Sequence, residues 1–357
     1  MRQFQNILVT GGAGFIGSNF VRHVFSRPEF SGRVVVFDAL TYAGNRHNLD
    51  DVAAAEGGRY EFVHADIRDA AAVGAAMEKF DVDCVVHFAA ESHVDRSIRE
   101  PAAFVETNVL GTLNLLQAAR ARGGAFKLFH HVSTDEVFGS LGPTGFFSET
   151  TPYAPHSPYS ASKAGSDHLV RAFRDTYGLP VTITNCSNNY GPYQFPEKLV
   201  PLMVLNALEG KPLPVYGEGL NVRDWLHVED HCAAIWTVMR RAAEGETYCV
   251  GGRCEMRNAD VVARVCALVD ALAPAPLPSG APRSSLVVHV ADRPGHDRRY
   301  AIDCSKLERD FGWKPAHDAE SGFRETVLWY LSHAEWVDSV RTGAYREWID
   351  RNYGDRR

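Results

Sequence analysis

The chain has 357 residues and a mass of 39.4 kDa, enough for one large core and a smaller appended lobe. Its 45% hydrophobic and 23% charged residues are typical of a globular protein, and a net charge of -7 makes nucleic acid and anionic membranes unfavourable partners. No run approaches the ~20 apolar residues of a membrane helix and no signal segment is recognisable, so the sequence predicts a cytoplasmic protein without a membrane partner.

Short apolar runs alternate with amphipathic segments through the first half of the chain. The runs are rich in Val, Ile and Phe, which predicts strands, and the segments between them show helical periodicity. Strict alternation predicts a parallel sheet with right-handed crossovers and helices on both faces, a Rossmann-like doubly wound α/β fold. The predicted strands cover residues 6–10, 33–38, 60–64, 83–88, 127–133 and 181–186.

From about residue 189 the pattern is less regular and is interrupted by prolines. This predicts a smaller C-terminal α/β lobe for binding a substrate, with a helix at 258–272, and not a linker between independent domains. The predicted division is 1–188 with a returning segment near 225–255 for the nucleotide-binding domain, 189–224 and 256–330 for the second lobe, and 331–357 for closing helices.

A glycine-rich loop follows the first predicted strand directly and opens a helical segment. Gly11 allows the strand to turn sharply, Gly14 allows the backbone to approach a pyrophosphate, and Gly17 allows the helix to pack on the strand. Asp38 ends the second strand about 20 residues after the loop, where a carboxylate accepts hydrogen bonds from the adenosine ribose. Because this carboxylate would repel a 2′-phosphate, the pattern predicts NAD and not NADP.

Tyr159 and Lys163 form a Tyr-x-x-x-Lys pair, a spacing that also arises by chance. Pro158 precedes the pair and the residues after it predict a helix, so the two side chains lie one turn apart on one face. A lysine ammonium and a nicotinamide cation would stabilise the tyrosine phenolate, which could then take a proton from a sugar hydroxyl while hydride passes to NAD. The alternative is a surface pair without chemistry.

Thr134, Asp135 and Glu136 follow the fifth predicted strand, upstream of this pair. Adjacent carboxylates in a cleft push their pKa values apart, so one can be neutral while the other is charged, and an elimination of water needs such a pair. Neighbouring strand residues face opposite ways, so both can reach one sugar only if the chain has left the extended form by Thr134. From the residues alone, acidic capping of a helix remains an alternative.

With these motifs the chain resembles the extended short-chain dehydrogenases/reductases, and among them the dTDP-glucose 4,6-dehydratases. The Ser-Thr-Asp-Glu run that ends at Glu136 is the part most specific to the dehydratases. The matching segments occur in order over nearly the whole chain, at 11–17, 41–45, 89–97, 133–136, 159–163, 185–191, 196–198, 223–225 and 292–296.

This resemblance implies three steps on a nucleotide-diphosphate sugar. Tyr159, helped by Thr134 and Lys163, oxidises the C4 hydroxyl of glucose, with hydride passing to NAD. Glu136 removes the C5 proton while protonated Asp135 gives its proton to the departing C6 hydroxyl. Hydride then returns from NADH to C6, which leaves a 4-keto-6-deoxy sugar.

The resemblance also implies the ligand contacts, and a homodimer that pairs the helices predicted at 102–122 and 157–177. The expected NAD contacts are Gly11, Gly14, Phe15, Ile16, Gly17, Asp38, Thr41, Asp66, Ile67, Ala89, Ala90, Ser92, Thr107, Tyr159, Lys163 and Asn189. The expected substrate contacts are Ser92, Thr134, Asn188, Lys198, Leu199, Pro214, Tyr216, Arg223, Asn258, Arg293 and His296.

Other polar and reactive residues carry no chemistry in this interpretation. The seven cysteines are scattered and form no C-x-x-C motif, which predicts reduced core thiols and no metal site. His87, His130 and His131 lie in or beside strands and are expected to be structural. Phe138 stands where relatives often carry tyrosine, and the 140–147 loop is short, but neither departure removes a catalytic group.

Three alternatives stay open from the sequence. A nucleotide-sugar 4-epimerase on the same scaffold needs Tyr159 and Lys163 but not the acidic pair. UDP-glucose could replace dTDP-glucose, because the bases differ by one methyl group, worth about 1–3 kcal/mol. A non-enzymatic NAD-binding protein would have no need of an intact Tyr159 and Lys163 pair.

Overall fold

A computed structural model of the protein describes residues 1–292 and 294–341. Its strands are β1 (Asn6–Thr10), β2 (Arg33–Asp38), β3 (Tyr60–His64), β4 (Cys84–His87), β5 (Leu128–Thr134), β6 (Val181–Cys186), β7 (Asn188–Tyr190), β8 (Leu213–Tyr216), β9 (Val222–His227), β10 (Thr247–Val250), β11 (Glu255–Arg257) and β12 (Val287–Val290). Its α-helices are α1 (Phe15–Phe25), α2 (Asp50–Glu56), α3 (Ala70–Lys79), α4 (Val94–Arg99), α5 (Pro101–Phe104), α6 (Thr112–Ala121), α7 (Pro158–Tyr177), α8 (Leu199–Glu209), α9 (Val228–Arg241), α10 (Asn258–Leu272), α11 (Ser305–Phe311), α12 (Ala319–Ser332) and α13 (Ala334–Val340). A π-helix (Val105–Gly111) joins α5 to α6, and a 3-10 turn (Asp135–Phe138) follows β5.

Within the described residues, seven parallel strands form the main sheet, in the order β10-β6-β5-β4-β1-β2-β3. Alternate side chains of the central strand β1 enter two different cores, because successive residues of a strand point to opposite sides. Ile7 and Val9 pack with α1 and α9, whereas Leu8 packs with α3, α6 and α7. Helices on both faces of parallel strands make this a Rossmann-like doubly wound sheet, which confirms the predicted fold class.

The predicted elements agree closely with the structure. Strands β1, β2, β3 and β6 have the predicted bounds, β4 and β5 differ by one residue at each end, and α10 has the bounds predicted for its helix. The helix predicted at 102–122 is instead interrupted by the π-helix. Asn108 lies in this wider turn, and its side chain bonds the backbone N–H and carbonyl of Glu91 at 2.9 and 3.0 Å. Such a tertiary contact leaves no trace in helical periodicity.

The remaining described strands form two smaller sheets, β11-β9-β7 and β12-β8. An apolar cluster that contains Tyr190, Trp225 and residues of α8, α10 and α12 packs around them. The predicted division into a nucleotide-binding domain and a second lobe stays a prediction, and 342–357, at the end of its last segment, lies outside the described residues. In the part of the chain that the structure describes, no helix is both long and apolar enough to cross a bilayer.

Candidate active site

A cavity of about 360 Å³ lies at the carboxyl ends of β1, β2, β4, β5 and β6. This volume is in the range of small-molecule sites, and parallel α/β sheets bind their ligands at this edge. Every predicted NAD contact lines it: Gly11, Gly14, Phe15, Ile16, Gly17, Asp38, Thr41, Asp66, Ile67, Ala89, Ala90, Ser92, Thr107, Tyr159, Lys163 and Asn189.

The loop after β1 contains close backbone contacts that only glycine permits. Gly11 has a φ of +68°, and a Cβ placed there would lie 2.7 Å from the backbone nitrogen of Ala89. A Cβ on Gly17 would lie 2.2 Å from the carbonyl oxygen of Gly11, so α1 can begin against the strand only without a side chain at this position. The loop therefore has the shape that a pyrophosphate at a helix N-terminus requires.

Asp38 holds this loop and also lines the cavity. Its Oδ2 accepts a hydrogen bond from Ala13 N at 2.9 Å, and its Oδ1 accepts one from Leu40 N at 2.8 Å. Elsewhere in the wall, Asn188 Oδ1 and Gln194 Oε1 are buried without a hydrogen-bond partner among the described residues. Buried polar atoms are normally paired, so a wall with two unpaired acceptors fits a polar ligand such as NAD.

Helix α7 carries Tyr159 and Lys163 one turn apart. It begins with a capping box, in which Ser157 Oγ accepts a hydrogen bond from Ser160 N at 3.1 Å and Ser160 Oγ accepts one from Ser157 N at 3.0 Å. Tyr159 is 8% and Lys163 5% exposed, and Lys163 Nζ donates to the carbonyl of Val132 at 2.8 Å. The two residues are therefore a fixed part of the cavity wall, which excludes the surface pair that the sequence left open.

Burial acts on the two groups in opposite directions. Burial, followed by the charge of Glu136, raises the pKa of Tyr159 well above its ordinary value, while a hydrogen bond with Thr134 opposes the rise. Burial lowers the pKa of Lys163, and the negative charge of Asp167 opposes that change. The protein surroundings as a whole favour neutral Tyr159. Its phenolate therefore needs a cation beside it, which Lys163 or the nicotinamide ring of a bound cofactor can supply.

Asp135 and Glu136 leave the strand direction immediately after β5. Thr134 is the last extended residue, and its Oγ1 accepts a hydrogen bond from Glu136 N at 3.2 Å, which starts the 3-10 turn. The turn removes the opposite-face problem of an extended chain, and both carboxyls line the cavity together with Tyr159. The capping side chain is Thr134, so the interpretation of the two acids as helix caps is wrong.

Asp135 is almost completely removed from water. It is 2% exposed, its Oδ1 accepts a hydrogen bond from Thr134 Oγ1 at 3.3 Å, and its Oδ2 has no hydrogen-bond partner among the described residues. Burial, followed by the charge of Glu136, raises the pKa of Asp135 well above the ordinary 3.8, while Arg223 opposes the shift. These surroundings favour the protonated carboxyl, the form that a general acid needs.

A second buried carboxylate, Asp167, lies one helical turn beyond Lys163. Its Oδ2 accepts hydrogen bonds from Ser133 Oγ at 2.8 Å and Tyr153 OH at 2.7 Å, and its Oδ1 lies 3.0 Å from His131 Nε2. Burial would raise the pKa of Asp167, but these bonds and the charge of Lys163 outweigh burial and lower it. Asp167 therefore supplies a counter-charge to the buried ammonium. The sequence analysis missed this residue, although its i,i+4 spacing from Lys163 was an available signal.

The predicted substrate contacts fall into two groups, whose role in binding stays a prediction. One group lines the cavity and comprises Ser92, Thr134, Asn188 and Lys198, with Lys198 Nζ bonded to the carbonyl of Ser92 at 3.1 Å. The other group does not line it and comprises Leu199, Pro214, Tyr216, Arg223, Asn258 and His296. Arg293 lies outside the described residues.

Three members of the second group take part in defined contacts. Tyr216 OH donates to Asp95 Oδ2 at 3.1 Å, and its ring meets that of His296 edge-on with centroids 6.1 Å apart. Arg223 is 4% exposed and holds its guanidinium 4.1 Å from the ring centre of Tyr300. Burial, followed by the charge of Glu136, raises the pKa of Tyr300. Tyr300 is therefore a site candidate beside the acidic turn that the sequence analysis did not identify.

The departure from the family pattern at Phe138 is accommodated by packing. The Phe138 ring stacks on Phe147 with centroids 5.2 Å apart and meets Tyr153 edge-on at 5.3 Å. Phe147 N in turn donates to the carbonyl of Ala301 at 2.9 Å, which fixes the end of the short 140–147 loop. Phe138 is 5% exposed, so it occupies a core position that needs no hydroxyl.

The histidines of the main sheet are structural, as predicted. His130 bonds Thr182 Oγ1 at 2.9 Å and Thr184 Oγ1 at 3.2 Å. Burial lowers the pKa of His130 to about 3 and that of His131 to about 4, and it lowers the pKa of His87 as well. All seven cysteines are free and six of them are buried, which confirms the prediction of reduced core thiols.

One group of described side chains has the composition of a metal site. His227, His317 and Glu325 place ligand atoms within 4.8 Å of one another. The rings of His227 and His317, however, stack with centroids 3.9 Å apart. Imidazole lone pairs lie in the ring plane, so stacked rings direct them side by side and not at one point. His317 also pairs with Asp230 at 3.0 Å and Glu325 at 3.3 Å, so the arrangement suits an ion-paired imidazolium over a neutral ring.

Known proteins with similar sequences share one description. A family model described as GDP-mannose 4,6 dehydratase matches residues 8–326. The chain is 55% identical to dTDP-glucose 4,6-dehydratase 1 of Escherichia coli (strain K12), covering 98% of this chain and 99% of that protein. It is 58% identical to dTDP-glucose 4,6-dehydratase of Xanthomonas campestris pv. campestris (strain B100), covering 95% of this chain and 97% of that protein.

Solved structures agree with the sequence relatives. The crystal structure of a dTDP-glucose 4,6-dehydratase from Streptomyces venezuelae, described with NAD and TYD bound, superposes with a TM-score of 0.85 at 48% identity. The match covers 93% of this chain and 98% of that one. Sequence and fold therefore point to one family over nearly the full length of both chains.

Proposed function

This chain belongs to the dTDP-glucose 4,6-dehydratase family, and from that premise we propose that it converts dTDP-glucose to dTDP-4-keto-6-deoxyglucose with NAD as cofactor. The observation that carries the proposal is the acidic turn after β5, because Asp135 and Glu136 line the same cavity as Tyr159 and Lys163. Tyr and Lys alone suffice for oxidation of an alcohol, whereas the adjacent carboxyls provide an elimination. The enzyme is therefore a hydro-lyase that returns its cofactor unchanged.

The first step is oxidation of the C4 hydroxyl. Tyr159, as phenolate, accepts the hydroxyl proton while the C4–H bond gives up its hydride. When bound, NAD supplies the acceptor for this hydride and later the donor of the same hydride to C6. Thr134 hydrogen-bonds Tyr159, and Lys163, balanced by Asp167, keeps positive charge close to the phenolate.

The second step is elimination across C5 and C6. The new C4 ketone acidifies the C5 proton, which we assign to Glu136 as base. The C5–H electron pair forms the C5–C6 double bond, and protonated Asp135 transfers its proton to the C6 hydroxyl, which leaves as water. Burial penalises the charged form, so buried Asp135 suits the acid and the more exposed Glu136 suits the base. Addition of hydride to C6 and a proton to C5 then completes the 6-deoxy sugar.

Substrate with deuterium at C4 tests the proposal. Dehydration moves the label to C6 of the product. Return of the label to C4 with inverted configuration would identify a 4-epimerase and overturn the proposal. We also expect kcat/KM to favour dTDP-glucose over UDP-glucose by about 10–200-fold, the discrimination that one methyl group allows. Equal values would change the nucleotide assignment but not the reaction.

We assign the cavity to NAD along its length. The pyrophosphate lies on the 11–17 loop, the adenosine ribose at Asp38, and the nicotinamide beside Tyr159 and Lys163. The glycine contacts and the unpaired acceptors of the wall support this assignment. Residues 189–224 and 256–330 form the lobe that binds the nucleotide part of the substrate in this proposal.

The enzyme is proposed to act in the cytoplasm as a homodimer. Val105, Leu110 and Tyr177 are 50%, 51% and 48% exposed on the two helical segments that the family resemblance pairs. Exposed apolar side chains on neighbouring helices indicate a contact face. Light scattering should give the mass of a dimer at working concentration, and a monomer would contradict this assignment.

A further inference from the structure

Helix α13 reaches the nucleotide loop through one side chain. Trp336 Nε1 donates to Asn48 Oδ1 at 2.6 Å, and Asn48 Nδ2 donates to the carbonyl oxygen of Ala13 at 2.8 Å. Ala13 lies between Gly11 and Gly14 in the glycine loop. Trp336 is 9% and Asn48 1% exposed, so the connection is shielded from water. A contact across 288 residues of sequence thus joins the last described helix to the backbone of the cofactor loop.

The chemistry of the donor fixes the orientation of Asn48. An indole N–H only donates, so it pairs with the amide oxygen of Asn48 and not with the amide nitrogen. The amide nitrogen is thereby turned toward Ala13, whose carbonyl oxygen only accepts. A flip of the Asn48 amide would bring two oxygens together at Ala13. Trp336 therefore determines which end of Asn48 meets the loop.

Both backbone groups of Ala13 are held. Its N–H donates to Asp38 Oδ2 at 2.9 Å, and its carbonyl accepts from Asn45 N at 3.1 Å as well as from Asn48. Asn45 makes its own contact with α13, because its Nδ2 donates to Ser339 Oγ at 3.3 Å. The peptide groups on either side of Ala13 are thus fixed between the carboxylate proposed for the ribose and helix α13.

The other side of Trp336 is embedded in the second core. Its ring meets those of Trp329, Tyr193 and Tyr330 with centroids 5.0, 5.8 and 6.1 Å apart. Tyr330 OH donates to the carbonyl of Gln194 at 2.6 Å, and Gln194 lines the cavity. Trp336 therefore cannot move without disturbing this aromatic cluster, which makes it a rigid support for Asn48.

We propose that Trp336 is a positioning residue for the cofactor, which acts through Asn48 to hold the Ala13 carbonyl and the glycine loop in the conformation that binds a dinucleotide pyrophosphate. The inference rests on the proposed role of NAD and adds a residue that does not touch it. Loss of the indole N–H should raise the Kd for NAD about fivefold, the equivalent of about 1 kcal/mol. The groups at the reacting end of the cavity should be unaffected.

Trp336→Phe tests the inference with little disturbance, because it keeps an aromatic ring and removes the N–H. NAD binding to the NAD-free enzyme is measured by isothermal titration calorimetry, and Tm is measured for each variant. We expect an increase of about fivefold in Kd, with kcat at saturating NAD unchanged. Trp329→Phe alters the same aromatic cluster and is the matched control, whose Kd should equal that of the parent.

Asn48→Ala breaks the same connection from the loop side and leaves α13 intact, so it keeps the test available if Trp336→Phe does not fold. In the double variant the two effects on Kd should not add, because both remove one pathway. Parental affinity in Trp336→Phe, or additive effects in the double variant, would overturn the inference. A parent enzyme that binds no NAD would instead refute the proposed function, so the two failures are distinguishable.

Discussion

Replacement of Asp135 by asparagine should separate the two halves of the reaction. The amide keeps the size of the carboxyl and an oxygen for Thr134, but it has no acidic proton to give to the C6 hydroxyl. Thr134, Tyr159 and Lys163 are unchanged, so oxidation at C4 should continue. We expect elimination to slow by about 10²–10⁴-fold, the usual contribution of a positioned general acid and about 3–5 kcal/mol of barrier.

Stopped-flow absorbance of NADH provides the assay. With dTDP-glucose, NADH should accumulate on Asp135→Asn and remain transient on the parent. In deuterated water, sugar recovered from Asp135→Asn should carry deuterium at C5, because Glu136 still exchanges that proton, whereas sugar from Glu136→Gln should not. Product formation within about tenfold of the parental rate would show that Asp135 is not the acid.

The same variant should change stability in a pH-dependent way. The pKa of Asp135 is raised from 3.8 in the folded protein, so the folded state holds this proton more tightly than the unfolded chain. The stability that the group contributes is complete below pH 3.8 and is lost as pH rises through the folded pKa. Asparagine does not titrate, so the Tm of Asp135→Asn should exceed that of the parent by a gap that widens from acidic to mildly alkaline buffer. A gap that narrows with pH would contradict the direction of the shift.

Gly17→Ala should abolish NAD binding measured by calorimetry, because the new methyl group would lie 2.2 Å from the carbonyl oxygen of Gly11; retained affinity would remove the loop from the cofactor site. Its control is Gly74→Ala in α3, where nothing lies within 4 Å of the added Cβ, and urea unfolding should show a gain of about 0.5–1 kcal/mol. Asp38→Asn should narrow the ratio of Kd values for NADP and NAD, since the repelling carboxylate is gone, and an unchanged ratio would refute the ribose assignment. Tyr159→Phe should lower kcat by about 10²–10⁴-fold and, unlike the acid variant, form no NADH. Parental turnover would exclude Tyr159 as the base.

Patterns that are local in the sequence predicted the features that are local in space. Gly11, Gly17 and Asp38 belong to one strand-helix-strand unit, so their spacing was enough to place them around one end of the cavity. Tyr159 and Lys163 share a helix face, which the i,i+4 rule fixes whatever the rest of the chain does. The strand bounds followed from apolar runs because these strands are covered on both faces.

Features that depend on distant parts of the chain were not predictable in this way. Asp167 gains its meaning from Ser133 and Tyr153, which lie on β5 and in a loop, and helical spacing alone does not announce them. The contact between Trp336 and Asn48 joins opposite ends of the chain. The acidic turn lies between these cases: the strand rule showed that the chain must bend at Thr134, but only the structure shows the 3-10 turn that achieves it.

The burial of six of the seven thiols gives this protein an internal record of its own opening. Burial raises the pKa of thiols such as Cys84 and Cys232 well above the ordinary value, and the thiolate is the reactive form. An alkylating reagent should therefore find the half-buried Cys254 first and reach the others as their surroundings unfold. Because these sulfurs extend from the central strand β4 to Cys304 near α11, peptide mass spectrometry of a labelling time course would rank regions by the order in which they come apart, without an introduced probe.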